Sequence, residues 1–161
     1  EEEPDPILRV PVSAFIPEDY VGDSHQRLSL YKRLSSCRQV GDLALLHGEI
    51  QDRYGHPPEP VERLLEVMQL RIHAKRLRLV SVEVHHTSVT VSFSPKATVS
   101  DKSVNRLMDR LKKRLRFLSP LSFQIQFPSE SWPAMFSELN TTLQSLSLCD
   151  TNTTGKDAAG L

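Results

Sequence analysis

The sequence predicts an α+β fold, in which several helices pack on a small, mainly antiparallel sheet. Apolar residues recur at helical spacing in five separate segments, and the period changes to two in the runs 80–84 and 89–93. The connection between these two runs, His86-Thr87-Ser88, suits an antiparallel hairpin and is too short for a helical crossover. The strands are therefore expected to pair locally, with the helices covering the sheet.

The first predicted element is a short strand over residues 7–14, where Ile and Val alternate with other residues. Pro11 places this strand at the edge of the sheet, because proline cannot donate a hydrogen bond to a neighbouring strand. A helix is expected to follow, capped by Asp23 or Ser24 and running to about Ser36. The residues predicted to face inward from this helix are Leu28, Tyr31 and Leu34.

Two more helices are predicted before the hairpin. The second helix opens at Gly41-Asp42 and ends at Gly55, which supplies a left-handed cap before Pro57-Pro58 prevents continuation. A third helix starts near Glu59-Pro60. The apolar stripes of the two helices are Leu43, Leu46, Ile50 and Tyr54, and Val61, Leu64, Leu65, Met68 and Ile72.

The second half predicts a long basic helix, a further strand and a last helix. Ser100 or Asp101 caps the basic helix, and the alternating run 121–127 predicts a third strand able to join the hairpin. The last helix begins near Ser131, with Pro133 in its first turn. The inward stripes are Val104, Leu107, Met108, Leu111, Leu115 and Leu118 in the basic helix, and Trp132, Phe136, Leu139, Leu143 and Leu146 in the last.

Composition is typical of a soluble globular domain, and we expect a cytoplasmic protein. The 161 residues carry a formal net charge of zero, which gives no indication of a nucleic-acid or membrane partner for the chain as a whole. No apolar run approaches the roughly 20 residues that span a bilayer. Cys37 and Cys149 are expected to be reduced thiols. Residues 1–6 are predicted to be a disordered linker end, 7–148 one domain and 149–161 a disordered tail.

The motifs of common enzyme sites are missing from the sequence. No glycine-rich phosphate loop occurs, and no cysteine pair has the spacing of a zinc site. His85 and His86 are adjacent in a predicted strand end, so their rings point to opposite faces. We therefore predict no catalytic, metal or cofactor-binding residues in this chain.

Two stretches of the first half carry specific motifs. In the first, residues 12–21 read Val-Ser-Ala-Phe-Ile-Pro-Glu-Asp-Tyr-Val, and residues 27–34 read Arg-Leu-Ser-Leu-Tyr-Lys-Arg-Leu. In the second, residues 49–55 read Glu-Ile-Gln-Asp-Arg-Tyr-Gly and are followed by Pro57-Pro58. These stretches resemble the TRCF domain family, the C-terminal domains of bacterial transcription-repair coupling factors. Ile50 and Tyr54 stand where the family commonly has leucine and phenylalanine. The clear motifs cover residues 10–94, and the rest resembles the family only in the order of its elements.

The resemblance implies a parent protein that recognises stalled RNA polymerase and displaces it with an ATP-driven DNA translocase. The parent then recruits the repair protein UvrA. The modules for the motor, the polymerase and UvrA would precede this segment, and ATP and magnesium would belong to the motor. The C-terminal domain would be non-catalytic. In the family it folds against the UvrA-binding module, masks it and restrains the motor.

A candidate interface with that module lies on the second predicted helix. Glu49 and Asp52 fall about 60° apart on its exposed side, with Leu45 between them in angle. The family motif implies that the two carboxylates receive arginines from the masked module, with Arg53 beside them. The alternative is a solvated face on which Glu49 pairs with Arg53 four residues later.

A different function is suggested by a basic ridge on the helix predicted over residues 102–116. Lys102, Arg106, Arg110 and Lys113 recur on one side and suit a phosphate backbone or an acidic protein surface. Asp101 and Asp109 interrupt this ridge and no aromatic residues interleave with it, which also fits a solvated helix face. A second basic cluster, with the same alternatives, consists of Arg71, Lys75, Arg76 and Arg78.

Overall fold

A computed structural model describes residues 4–149, which form five α-helices and a five-stranded sheet. The predictions of disorder for residues 1–3 and 150–161 concern parts of the chain outside the described residues. In chain order the elements are β1 (Ile7–Arg9), α1 (Ser24–Ser36), α2 (Val40–Tyr54), α3 (Glu59–Arg76), β2 (Leu79–His85), β3 (Ser88–Phe93), α4 (Asp101–Leu111), a 3₁₀ turn (Lys112–Arg114), β4 (Leu115–Ser119), β5 (Ser122–Gln126) and α5 (Trp132–Ser145).

The sheet has the strand order β1-β2-β3-β5-β4, and β1 alone among these strands runs parallel to its neighbour. β5 pairs with β3, so the predicted third strand of the hairpin is confirmed. The helices cover the face that carries the cross-strand neighbours Val82, Val91 and Phe123, which are all buried. The predicted α+β class is therefore confirmed.

The helix α3 takes part in two hydrophobic cores. Its first half contributes residues such as Val61 and Leu65 to a core formed with α1 and α2. Its second half contributes Leu70 and Ala74 to the core beneath the sheet, which α4 and α5 complete. Because one continuous helix is buried in both cores, it fixes the position of α2 relative to the sheet.

Polar contacts also hold α3 against α5. The Arg76 guanidinium donates hydrogen bonds to the carbonyl oxygens of Leu143 and Leu146, at 2.8 and 2.9 Å, where α5 ends. These bonds satisfy carbonyl groups that a helix end leaves without partners. Nearer the start of α3, the Trp132 indole donates a hydrogen bond to a Glu66 carboxylate oxygen at 2.6 Å, and Arg63 donates to the same carboxylate.

The beginning of the chain differs from its prediction in two ways. β1 covers only residues 7–9, although its edge position agrees with the inference from Pro11. In α1 the buried residues are Leu30 and Leu34, whereas Leu28 is 53% exposed. Leu30 and Leu34 are four residues apart and lie on one face of the helix, while Leu28 is displaced from Leu30 by about 200°.

The predicted basic helix over 102–116 is wrong beyond Leu111. The chain leaves α4 there, passes through the 3₁₀ turn and returns as the edge strand β4, which pairs with β5. Leu115 and Phe117 alternate with Arg116 and lie opposite Ile125 and Phe123 of β5. Their spacing fits a strand as well as a helix, so pairing with β5 decides the structure.

We predict that Lys112→Gly stabilises the domain. Lys112 ends α4 at φ 52° and ψ −121°, a conformation that glycine adopts readily and other residues adopt with strain. The free energy of unfolding should rise by about 1 kcal/mol, measured by denaturant titration of circular dichroism. Lys113→Gly is the matched control, because Lys113 has no positive φ. Equal effects of the two substitutions would contradict this explanation.

We predict that His73 makes the stability of the domain fall as the pH falls from 7 to 5. His73 is 5% exposed, and neither ring nitrogen has a hydrogen-bond partner in the structure. Burial, followed by the charge of Arg76, lowers the pKa of His73 below its ordinary value of 6.5. Below that pH the unfolded chain therefore binds a proton that the folded chain excludes, and folding is disfavoured.

The substitution His73→Leu should remove this dependence on pH. The measurement is the midpoint of denaturant unfolding at pH 7, 6 and 5. His56→Gln changes an exposed histidine instead and should keep the wild-type dependence. The assignment to His73 is wrong if its leucine variant still loses stability over this range.

Candidate interaction surface

The exposed face of α2 carries the residues that the sequence singled out. Leu43, Leu46 and Ile50 are buried and fix the helix on its core. Gly55 ends the helix at φ 87° and ψ −171°. The positive φ favours glycine, as predicted, but this ψ is not that of the left-handed helical cap that the sequence predicted. The opposite side presents Leu45, Glu49 and Asp52, which recur at i, i+4 and i+7 and therefore form one stripe. We call these three residues the α2 stripe.

Leu45 is the apolar centre of the α2 stripe. It is 77% exposed, which is the largest exposure among the large hydrophobic side chains of the described residues. Beside it, between α1 and α2, lies a groove of about 450 Å³. The groove is lined by Lys32, Arg33, Ser36, Cys37, Asp42, Leu45, Leu46 and Glu49. The stripe therefore adjoins a shallow recess with polar walls.

Glu49 forms its ion pair with Arg33 of α1 and not with Arg53. The two guanidinium NH₂ nitrogens of Arg33 lie 2.9 and 2.5 Å from the two carboxylate oxygens, in a bidentate arrangement. The hydrogen bond from Arg33 lowers the pKa of Glu49, and the Arg33 pKa rises for the same reason. Arg53 instead lies over the Tyr54 ring, with its Cζ 5.3 Å from the ring centroid.

The charge of this surface is therefore mixed, whereas the sequence predicted a leucine edged by two carboxylates, with pairing of Glu49 to Arg53 as the alternative. Arg33 neutralises Glu49, while Asp52 has no ion pair among the described residues. Sequence reasoning missed Arg33 because it lies sixteen positions before Glu49 and meets it only when α1 packs on α2.

Gly48 lies next to the α2 stripe on the exposed side. A Cβ atom built at this position would have no neighbouring atom within 4 Å. Packing in the described structure therefore does not require glycine there, although glycine disfavours a helix interior by about 1 kcal/mol relative to alanine. Its effect on the surface is to leave the α2 backbone open beside Leu45 and Asp52.

The basic ridge proposed on α4 is divided in the structure. Lys102 and Arg106 are exposed on α4, but Arg110 donates a hydrogen bond to Thr142 Oγ1 at 2.7 Å. Lys113 lies in the 3₁₀ turn beyond the end of the helix. The adjacent Arg114 donates to the Gln126 carbonyl and pairs with Glu138. The four predicted residues therefore do not form one continuous row.

The described residues contain neither a candidate metal site nor a helix that could span a membrane. Between residues 4 and 149, no group of three His, Cys, Asp or Glu side chains is placed to hold a metal ion. No helix in the same range is long and apolar enough to cross a membrane. Cys37 and Cys149 are both free thiols, as expected. The α2 stripe is thus the predicted site whose residues the structure brings together on one face.

Comparison with known proteins agrees with the motifs of the first half of the chain. The TRCF domain family matches residues 10–104. The transcription-repair-coupling factor of Myxococcus xanthus is 34% identical over 146 residues, which is 90% of this chain and 12% of that protein. That of Haemophilus influenzae is 32% identical over 124 residues, 77% of this chain and 11% of that protein. The chain thus spans about an eighth of the length of these relatives.

A solved structure shows the same fold over most of the chain. It is a crystal structure of the C-terminal domain of a transcription-repair coupling factor, with a TM-score of 0.76 and 16% sequence identity. The match covers 88% of this chain and 91% of that one, so it includes elements that follow residue 104. Since the family match extends over more than half of the sequence, the chain belongs to the TRCF domain family.

Proposed function

We propose that this chain is the non-catalytic C-terminal regulatory domain of a transcription-repair coupling factor. In this proposal it masks the UvrA-binding module of the same parent chain. It also restrains the ATP-driven DNA translocase that removes stalled RNA polymerase. Family membership and the names of the relatives support the parent's identity. ATP and magnesium would act in the motor, and this domain would contribute a surface only.

The observation that supports the masking role is the exposed α2 stripe. A leucine that is 77% exposed loses its contact with water when a partner covers it, which favours association. Asp52, which has no ion pair in the described structure, is available to accept a guanidinium from that partner. Both residues lie on a rigid helix that Leu43, Leu46 and Ile50 hold against the core.

The Arg33–Glu49 pair gives the surface a second property. A partner arginine that approaches Glu49 must share the carboxylate with Arg33, so Glu49 contributes less than an unpaired carboxylate would. Asp52 then provides the stronger contact of the two. Masking must be reversible, and an interface with one apolar residue and one unpaired carboxylate is modest enough for a partner to displace.

We predict that Glu49→Ala/Asp52→Ala weakens binding to the parent's UvrA-binding module by at least about tenfold, because both carboxylates would contact its basic side chains. The measurement is calorimetry with the two separately expressed parts, with circular dichroism to confirm folding. Asp109→Ala/Glu130→Ala removes two exposed carboxylates far from α2 in sequence and should bind as the wild type does.

The single variants separate the two contributions, and Asp52→Ala should account for most of the loss. Unchanged affinity in the Glu49/Asp52 double variant would remove the α2 stripe from the interface. The wild-type domain is also tested with the two parts joined by a flexible linker, which raises their effective concentration. If it does not bind even then, the masking proposal is contradicted.

We predict that Gly48→Ala has opposite effects on folding and on binding. The free energy of unfolding should rise by about 0.5–1 kcal/mol, because alanine favours the helix and its Cβ meets no neighbour. Binding to the UvrA-binding module should weaken, because the added methyl group keeps the partner from the α2 backbone. Denaturant unfolding and calorimetry measure the two effects. Stabilisation with full binding would show that the partner does not approach α2 at Gly48.

A further inference from the structure

A second charged site lies where the chain before β1 crosses the end of α3, and it shares the lining residues Ser36 and Cys37 with the groove beside the α2 stripe. A cleft of about 650 Å³ opens there, between residues 4–6, the α1–α2 connection and the residues that follow α3. We call it the basic cleft and define it by Arg38, Lys75 and Arg78, which line it, and by Arg71, which pairs with the lining residue Asp5. Arg76 also lines it, but its guanidinium is committed to the carbonyl oxygens at the end of α5.

The basic cleft already holds one oxyanion, the carboxylate of Asp5. A single Asp5 oxygen lies 2.9 Å from Lys75 Nζ and 3.1 Å from a terminal nitrogen of Arg71. The Arg71 guanidinium is oriented independently, because it also donates to the Ser35 carbonyl at 3.0 Å. The hydrogen bond from Lys75 and the charge of Arg71 lower the pKa of Asp5. Two cations are thus arranged around one acceptor oxygen.

The occupant does not balance the charge of the site. The Asp5 carboxylate faces Arg71 and Lys75. Arg38 and Arg78 also line the cleft, and neither has an ion pair among residues 4–149. Asp5 is 63% exposed, so water and salt screen its ion pairs and they are readily broken. The excess positive charge favours an occupant that carries several negative charges in succession.

The contacts of residues 4–6 indicate what the cleft recognises. Pro4 and Pro6 have no N–H group, and within the described structure this segment forms no backbone–backbone hydrogen bond with the residues of the cleft. The cleft therefore binds the anion and not the peptide backbone that carries it. Arginine guanidinium groups match phosphate oxygens in shape, and a non-bridging phosphate oxygen has the same acceptor role as the Asp5 oxygen.

The geometry points to the basic cleft as a binding site for the phosphate backbone of a nucleic acid, with Asp5 as an intramolecular competitor for the same cations. The Asp5 carboxylate and a phosphate group cannot both bind between Arg71 and Lys75. The cleft has no aromatic lining residue, so bases do not stack there and recognition does not depend on sequence. The proposal is independent of the α2 stripe and of masking.

The test is fluorescence anisotropy with the whole chain and a labelled DNA of about 20 nucleotides, single-stranded and duplex, at low and moderate salt. Asp5→Asn removes the competing charge and should tighten binding by about threefold to tenfold. Arg38→Ala/Lys75→Ala should weaken binding by at least about tenfold and reduce the slope of log affinity against log salt. Lys102→Ala/Arg106→Ala removes the same charge from α4 and should leave binding unchanged.

Each other outcome contradicts the assignment. Equal affinities of the wild type and the Asp5→Asn variant would exclude Asp5 as a competitor. Loss of binding in the α4 variant alone would move the nucleic-acid site to α4. The Asp5→Asn variant is also tested with a polyglutamate peptide. If it binds this peptide but not DNA of similar charge, the ligand is an acidic protein segment. Circular dichroism of each variant confirms that the fold is retained.

Discussion

Burial of α3 along its whole length is the constraint on which the rest of this structure depends. Its early turns complete the core of α1 and α2, and its later turns complete the core beneath the sheet. Both cores are small, and both include apolar residues of α3. Each core therefore depends on the part of α3 that is buried in the other core to keep the helix folded. Two small cores that share one continuous helix behave as a single folded unit, since unravelling α3 in one of them exposes apolar residues in both.

The same arrangement explains where the two polar surfaces of the domain lie. The α2 stripe lies on the side of the helical core that faces away from α3, because Leu43, Leu46 and Ile50 occupy the inner side of α2. The basic cleft forms near the C-terminal end of α3, where the segment before β1 passes Arg71 and Lys75. The α2 stripe is built on a helix anchored by buried residues, so its side chains are held in fixed relation to one another.

Most of the element order followed from local pattern, because periodicity and caps are local properties of the chain. Asp23 accepts hydrogen bonds from His25 and Gln26 as a cap should, and Gly55 ends α2 at positive φ. The failures arose where distant parts of the chain decide the outcome. The segment 115–119 satisfies both a helical and a strand pattern, and β5 selects the strand. Arg33 reaches Glu49 only through the packing of α1 on α2, which no local spacing reveals.

The parallel pairing of β1 with β2 has a mechanical consequence. Ile7 lies opposite Ser81 in the sheet. The chain therefore leaves the sheet after β1, forms the helices α1–α3 and returns to the sheet as β2, beside β1. Tension applied to the chain before β1 is therefore carried first by a three-residue strand and by the Asp5 contacts beside it. This junction would release first, and because Leu8 of β1 packs against the core beneath the sheet, a pull from that side reaches that core as soon as β1 detaches.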